Sequence, residues 1–184
     1  VRGNITSPLS LRKIVGRLEE QGIKVSVTTI ENYLRYWASA YAIEKLIKFD
    51  YKLSRVFTRS AKYYLVDNSF ISGREDADEK RLENLVYNEL SRIYGRENVF
   101  FGQNENGYEV DFVVKENKFL CFQVCLRLTD ENSKREFGNL ELAKKHLGGN
   151  GTVLYVDNTL TSLPSEFPAQ PVVECLLSNQ GHPK

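Results

Sequence analysis

The chain has 184 residues, of which 41% are hydrophobic and 27% charged, and its formal net charge is +1. This composition is typical of a soluble globular protein and is long enough for one large domain or two small ones. No apolar run approaches the roughly 20 residues of a membrane span and no signal peptide opens the sequence, so we expect a cytoplasmic protein without a membrane partner. Because the sequence begins at Val1 and contains no Met, we expect a fragment of a longer chain.

Charge divides the sequence into two parts. Residues 1–73 contain 12 Lys and Arg against 6 Asp and Glu, whereas residues 74–184 contain 13 against 18. The change falls in a polar, glycine-containing stretch, residues 72–80, which is typical of a linker. We therefore predict two domains, residues 1–73 and residues 74–184.

The first part is predicted to contain two helices followed by a β-hairpin. Ser10 caps a helix that runs to about Gln21, and Thr28 or Thr29 caps a second helix. The apolar face of this second helix comprises Ile30, Tyr33, Leu34 and Trp37. Two strands follow, residues 42–49 and 63–67, separated by a basic turn with Lys52, Arg55, Arg59 and Lys62. This order of elements is that of a winged helix-turn-helix.

A winged helix binds DNA with the outward face of its second helix and with its hairpin. The residues that we expect to contact bases or phosphates are Asn32, Arg35, Lys52, Arg55 and Arg59. The alternative is that the winged helix only packs on a neighbouring domain, because its surplus of positive charge is modest.

The second part is predicted to follow an α-β-β-β-α-β order. The helices are residues 79–94 and 131–147, and the strands are residues 98–102, 109–114, 119–126 and 152–157. Residues 119–126 are mostly apolar, which indicates a central strand buried on both faces. Residues 163–171 are predicted to be a loop and residues 172–177 a short strand or a helical turn.

Three side chains of the second part are candidates for metal-assisted chemistry. Glu83 lies on its first helix, and Asp111 and Gln123 lie on two strands that converge if they pair as a hairpin. One or two carboxylates and a carbonyl oxygen suffice for Mg²⁺, which activates water and stabilises charge on a phosphate. Structural roles are the alternatives: a solvated or capping carboxylate at Glu83, an ion pair of Glu109 and Asp111 with Lys134 or Arg135, and a core amide at Gln123.

These residues lie in segments that resemble the PD-(D/E)XK nuclease fold: residues 82–86 (LENLV), 109–113 (EVDFV) and 123–125 (QVC). More narrowly, the chain is similar to the C-terminal region of prokaryotic AAA-type P-loop ATPases, in which a phrase like KYYLVD, residues 62–67, leads into a nuclease-like domain. The resemblance implies a mixed α/β fold, with a winged helix-turn-helix followed by a restriction-endonuclease-like domain around a central mixed sheet. It also implies a regulatory or binding module that contacts DNA, a protein partner or the ATPase domain of the same chain, with ATP bound elsewhere in the longer protein.

The motif lysine of that fold is replaced here by Cys125. A thiol offers no positive charge at neutral pH, and loss of such an electrostatic group typically costs on the order of 10²–10³ in rate. We therefore expect a degenerate site in which Glu83, Asp111 and Gln123 remain. The alternative is a Mg²⁺-dependent endonuclease in which Lys134 or Arg135 supplies the basic group from the next helix.

Overall fold

A computed structural model describes residues 5–50, 55–71, 77–104, 106–162 and 167–178, and of residues 55 and 57–60 it describes the backbone alone. These residues form a mixed α/β structure. The helices are α1 Leu11–Glu20, α2 Val27–Ser39, α3 Ala77–Tyr94, α4 Asp130–Leu147 and α5 Val172–Ser178. The strands are β1 Ile43–Asp50, β2 Arg55–Leu65, β3 Val99–Gln103, β4 Glu109–Lys115, β5 Phe119–Leu128, β6 Asn150–Asn158 and β7 Ala169–Pro171.

All seven strands belong to one mixed sheet in the order β2-β1-β3-β4-β5-β6-β7. Strands β3, β4 and β5 form an antiparallel meander, and β6 and β7 continue the sheet in parallel pairs beyond β5. On the other side, β1 pairs in parallel with β3 and antiparallel with β2. The predicted α-β-β-β-α-β order of the second part is confirmed as α3-β3-β4-β5-α4-β6, and residues 172–178 form a helix. The loop predicted for residues 163–171 was wrong at its end, because residues 169–171 form β7.

Helices α3 and α4 cover opposite faces of this sheet. Neighbouring residues of β4 and β5 alternate between two hydrophobic cores, as the pleat requires. Phe112 and Phe122 pack with the buried residues of α3, whereas Val113 and Cys121 pack with those of α4. Strand β5 is thus buried on both faces, as its apolar sequence predicted.

The first part contains the two predicted helices. Ser10 caps α1 as expected, but Ser26 rather than Thr28 or Thr29 caps α2, since its hydroxyl accepts from the Thr29 amide at 3.0 Å. The apolar face predicted for α2 is only partly buried. Leu34 is 3% exposed, whereas Tyr33 and Trp37 are 54% and 42% exposed.

The hairpin of the first part is an integral piece of the sheet, because β1 pairs with β3. Strand β2 begins at Arg55, so the basic turn predicted up to Lys62 was wrong: Lys62 lies within β2 and is buried. Lys52 lies outside the described residues, as do residues 72–76, where the domain boundary was predicted. A division into two domains therefore stays a prediction. None of the helices in the described ranges is long and apolar enough to span a membrane.

Candidate functional site

A β-bulge in β4 positions Asp111. Phe100 pairs with Val113 and Gly102 with Val110, so two residues of β4 lie opposite the single residue between Phe100 and Gly102 on β3. Such a bulge bends the strand and redirects a side chain. The bulge lies at Asp111, where the regular alternation of side chains between the two faces of β4 is interrupted.

Asp111 and Gln123 contact each other's strands directly. The Val124 amide donates to Oδ2 of Asp111 at 2.8 Å, and the Asp111 amide donates to Oε1 of Gln123 at 3.3 Å. The two side chains therefore cross-link β4 and β5 close to the bulge. The structure brings these two predicted residues together, and it gives the Gln123 oxygen a backbone donor as its partner.

Glu83 is held in a network centred on Lys62. The Lys62 Nζ atom lies 3.0 Å from Oε1 of Glu83 and 2.8 Å from Oε1 of Glu109. Tyr64, two residues along β2 on the same face, donates its hydroxyl to the same Glu83 oxygen at 2.7 Å. The ammonium also lies 5.5 Å from the ring centroid of Phe101. Lys62 is only 1% exposed, so this charge is neutralised inside the protein.

The electrostatics join Glu83 to Asp111. Burial and the charge of Glu83 raise the pKa of Asp111 well above its ordinary value, whereas Lys62 and the Val124 amide act in the opposite direction. Two carboxylates with one shared counter-ion resist being ionised together. The charges of Glu83 and Asp111 thus interact, and Gln123 is connected to Asp111 by its hydrogen bond to the Asp111 amide.

Asp111 and Gln123 line a cleft of about 910 Å³. Lys134 and Arg135, from the first turns of α4, line the same cleft and are exposed. The predicted ion pair of Arg135 with Asp111 is not formed, because the Arg135 guanidinium pairs with buried Glu136. Lys134 and Arg135 are therefore near the cluster, as proposed for displaced basic groups, but Arg135 is bound to a different carboxylate.

Cys125 lies beside the cluster without supplying a charge. Burial raises the pKa of its thiol to about 12, and the charges of Glu136 and Asp111 contribute. The thiol is therefore neutral at physiological pH. All three cysteines are free, as their spacing predicted.

The described residues do not fit a metal centre well. No three His, Cys, Asp or Glu side chains of the described ranges are grouped so that they can hold a metal ion. The oxygen of Gln123 accepts from a backbone amide, and one oxygen of Glu83 accepts from both Lys62 and Tyr64. The acids that the nuclease motif would offer to Mg²⁺ are instead bound to protein donors.

The candidate nucleic-acid residues of the first part are only partly described. On α2, Arg35 is exposed and its Nη2 atom donates to Oδ1 of Asn32 at 3.0 Å. Arg55 and Arg59 lie on β2, but their side chains fall outside what the structure describes, as does the whole of Lys52. Whether these five residues contact nucleic acid stays a prediction.

Lys62, Tyr64 and Glu136 belong to the site but were not predicted as members, and Glu109, for which an ion pair with Lys134 or Arg135 was the alternative, pairs with Lys62 instead. The signal for two of them was present: Lys62 and Tyr64 are two residues apart in a strand, so they share a face. Their burial, and the two carboxylates that Lys62 requires because an unpaired buried charge is costly, are visible only in the structure.

The chain is similar to an archaeal protein. The chain is 38% identical over 144 residues to an uncharacterized protein of Methanocaldococcus jannaschii, a match that covers 76% of this chain and 32% of that protein. The matched region is thus about a third of the length of this relative. No protein-family model and no solved structure matches the chain.

Proposed function

We propose that this chain is a nuclease-like binding module that contacts DNA and does not cleave it. The observation that carries the proposal is the state of the acidic cluster. Glu83, Asp111 and Gln123 lie in the motif positions that the resemblance implies for a nuclease site, but a neutral thiol stands at the motif-lysine position and Lys62 neutralises Glu83 and Glu109. Such a cluster keeps the architecture of a phosphodiesterase site without its free ligands.

The topology of the second part supports the nuclease-like interpretation. A helix, an antiparallel three-stranded meander, a second helix on the opposite face and a parallel fourth strand follow one another from α3 to β6. This is the arrangement that the resemblance implies for a restriction-endonuclease-like domain. Glu83, Asp111 and the amide of Gln123 lie on α3, β4 and β5, in the order of the motif.

The first part supports contact with DNA. Its surplus of Lys and Arg is the electrostatic footprint of a phosphate-binding surface. Helix α2 follows α1 and carries Arg35 and Asn32 on its accessible side. Winged-helix proteins use the second helix of such a pair for recognition, and we propose the same role for α2.

A gel-shift titration of duplex DNA at two salt concentrations tests this proposal. We expect affinity to fall steeply with salt, and each lost phosphate contact in Arg35→Ala or in Arg55→Ala with Arg59→Ala to reduce the salt slope by about 1. Lys118→Ala is the matched control, because Lys118 is an exposed lysine in the β4–β5 turn, remote in sequence from the proposed surface. Equal loss of affinity in the control and the test variants would refute the assignment.

One observation favours a second candidate, a Mg²⁺-dependent DNA endonuclease. The cleft beside Asp111 has room for a phosphodiester, and the cations of Lys134 and Arg135 line it. Incubation of the chain with plasmid DNA and Mg²⁺ or Mn²⁺ tests this alternative. Nicking by the wild-type chain that disappears in Asp111→Ala establishes cleavage and overturns the non-cleaving module.

We also propose that the parent protein contains a P-loop ATPase that binds ATP outside this chain. The support is the family resemblance and the length of the M. jannaschii relative, of which the match covers 32%. A phosphate-loop sequence, G-x-x-x-x-G-K-[ST], elsewhere in the longer protein is the expected finding, and its absence would remove the ATPase from the proposal.

A further inference from the structure

Lys62 is a lysine with almost no access to water. Its ammonium is shared between Glu83 and Glu109, which come from α3 and β4, and its side chain is 2% exposed. Burying an ammonium costs several kcal/mol unless it is paired with carboxylates and hydrogen bonded. The position of Lys62 is therefore fixed by the two acids, and both acids are in turn neutralised by one cation.

A divalent ion and this ammonium would compete for the same oxygens. Oε1 of Glu83 and Oε1 of Glu109 lie 3.0 and 2.8 Å from one nitrogen atom, so a cation bound by both carboxylates has to lie close to Nζ. Mg²⁺ and Mn²⁺ take oxygen ligands at about 2 Å, which the ammonium excludes while it remains there. The described residues contain no group of three His, Cys, Asp or Glu side chains that could hold a metal ion, so a site at this position would depend on the two carboxylates that Lys62 now occupies.

We infer that Lys62 is a built-in cation that replaces a metal ion in the acidic cluster, and that its removal creates a divalent-cation site. Glu83 and Glu109 supply one carboxylate each. Water completes the coordination sphere, as is usual for Mg²⁺ and Mn²⁺ bound by one or two carboxylates. The inference rests on the geometry of the cluster and does not require DNA binding.

The experiment compares binding of Mn²⁺ and Mg²⁺ to the wild-type chain and to Lys62→Ala, by calorimetry and by thermal unfolding. We expect Lys62→Ala to bind Mn²⁺ about tenfold or more tightly than the wild type. We also expect its Tm to rise with Mn²⁺ concentration, because a ligand of the native state stabilises it by mass action, whereas the wild-type Tm stays constant. Lys118→Ala, which removes an exposed lysine, should behave like the wild type.

A second variant distinguishes metal binding by Lys62→Ala from misfolding of that variant. If Lys62→Ala unfolds without metal, we expect Mn²⁺ but not NaCl of equal ionic strength to restore its folding. Lys62→Ala combined with Glu83→Gln and Glu109→Gln removes the negative charge together with the cation, so it should fold without metal and bind none. Divalent binding by the wild type at the same carboxylates, or a Lys62→Ala chain that neither gains affinity nor is rescued by Mn²⁺, would overturn the inference.

Because the readouts are metal affinity and stability, these outcomes are separate from the fate of the proposed function. Failure of the gel shift would remove DNA binding and leave the role of Lys62 intact. Failure of the metal experiment would leave Lys62 as an ordinary buried ion pair and would not affect DNA binding.

Discussion

Replacing Asn84 with alanine is expected to destabilise the protein by about 2–4 kcal/mol, because the Asn84 side chain pairs with the backbone of an edge strand. Asn84 is fully buried on α3. Its Oδ1 accepts from the Leu65 amide at 2.7 Å, and its Nδ2 donates to the Leu65 carbonyl and to Oδ1 of Asn68, each at 2.8 Å. Strand β2 is an edge strand that ends at Leu65. The side-chain amide of Asn84 therefore forms hydrogen bonds with both the backbone N–H and the backbone carbonyl of Leu65.

The magnitude follows from the partner that loses its hydrogen bond. In Asn84→Ala the buried Leu65 amide has no acceptor, which costs about 1–3 kcal/mol, and the remaining bonds add about 1 kcal/mol. The Leu65 carbonyl keeps a longer bond from Nδ2 of Asn88, at 3.2 Å, which limits the loss. For a chain of this size the expected decrease in Tm is roughly 5–15 °C.

The measurement is urea unfolding followed by circular dichroism, with the free energy of unfolding extrapolated to water. Asn88→Ala is the matched control, since Asn88 also lies on α3 but its bonds to Leu65 and Val66 are 3.2 and 3.3 Å long and one of them is exposed. We expect less than about 1 kcal/mol from the control. If Asn84→Ala differs from the wild type by no more than the control does, the assigned role of this amide is refuted.

Two further predictions concern the carboxylate cluster and the backbone. Burial and the charge of Glu83 raise the folded-state pKa of Asp111 above its unfolded value, so the wild type loses stability as the pH rises from the unfolded pKa through the folded pKa. The Asn side chain does not titrate, so Asp111→Asn should become more stable relative to the wild type over the same pH range. Urea unfolding at several pH values tests this expectation. A Cβ on Gly149 would lie 2.1 Å from the Phe119 carbonyl oxygen, so Gly149→Ala should cost about 1–3 kcal/mol of unfolding free energy. In contrast, Gly16→Ala places its methyl group in open space within α1 and should stabilise by about 0.5–1 kcal/mol, so thermal unfolding that ranks the two variants alike would contradict this reasoning.

The second part of the chain could be predicted closely because its signals are local. The apolar stripe of α3, the alternation in β4 and the continuous apolar run of β5 each contain the period of the element that they form. Gly148, with φ +63°, ends α4 where a left-handed residue is required. The predicted and observed bounds of these elements differ by only a few residues.

The position of the hairpin could not be predicted in the same way. Whether β1 pairs with β3 depends on contacts between segments that are about 50 residues apart in sequence, and a propensity pattern does not contain such contacts. The charged residues of residues 52–62 resembled a solvated turn, since polar residues are typical of turns. Only the structure reveals that Lys62 lies opposite two distant carboxylates, which is why a charged residue can occupy a buried strand position.

The candidate site also depends on contacts between residues that are far apart in sequence. Glu83, Asp111 and Gln123 were recognised because motif spacing identifies residue types, and the structure brings them into one cluster. The identity of the counter-ion was not encoded in that spacing. Lys134 and Arg135 were reasonable candidates because they begin the next helix, yet Arg135 is bound by its own neighbour, Glu136.

The parallel pairing of β1 with β3 has a consequence for anyone who truncates this polypeptide. A recombinant piece that starts at residue 74 would lack β1, which pairs with one side of β3. The backbone amides and carbonyls of β3 would then be unpaired, which favours association with another chain. The piece would also retain Glu83 and Glu109 without the ammonium that balances them. A piece cut at the charge boundary is therefore expected to be insoluble, and expression plasmids should retain the β1–β2 hairpin.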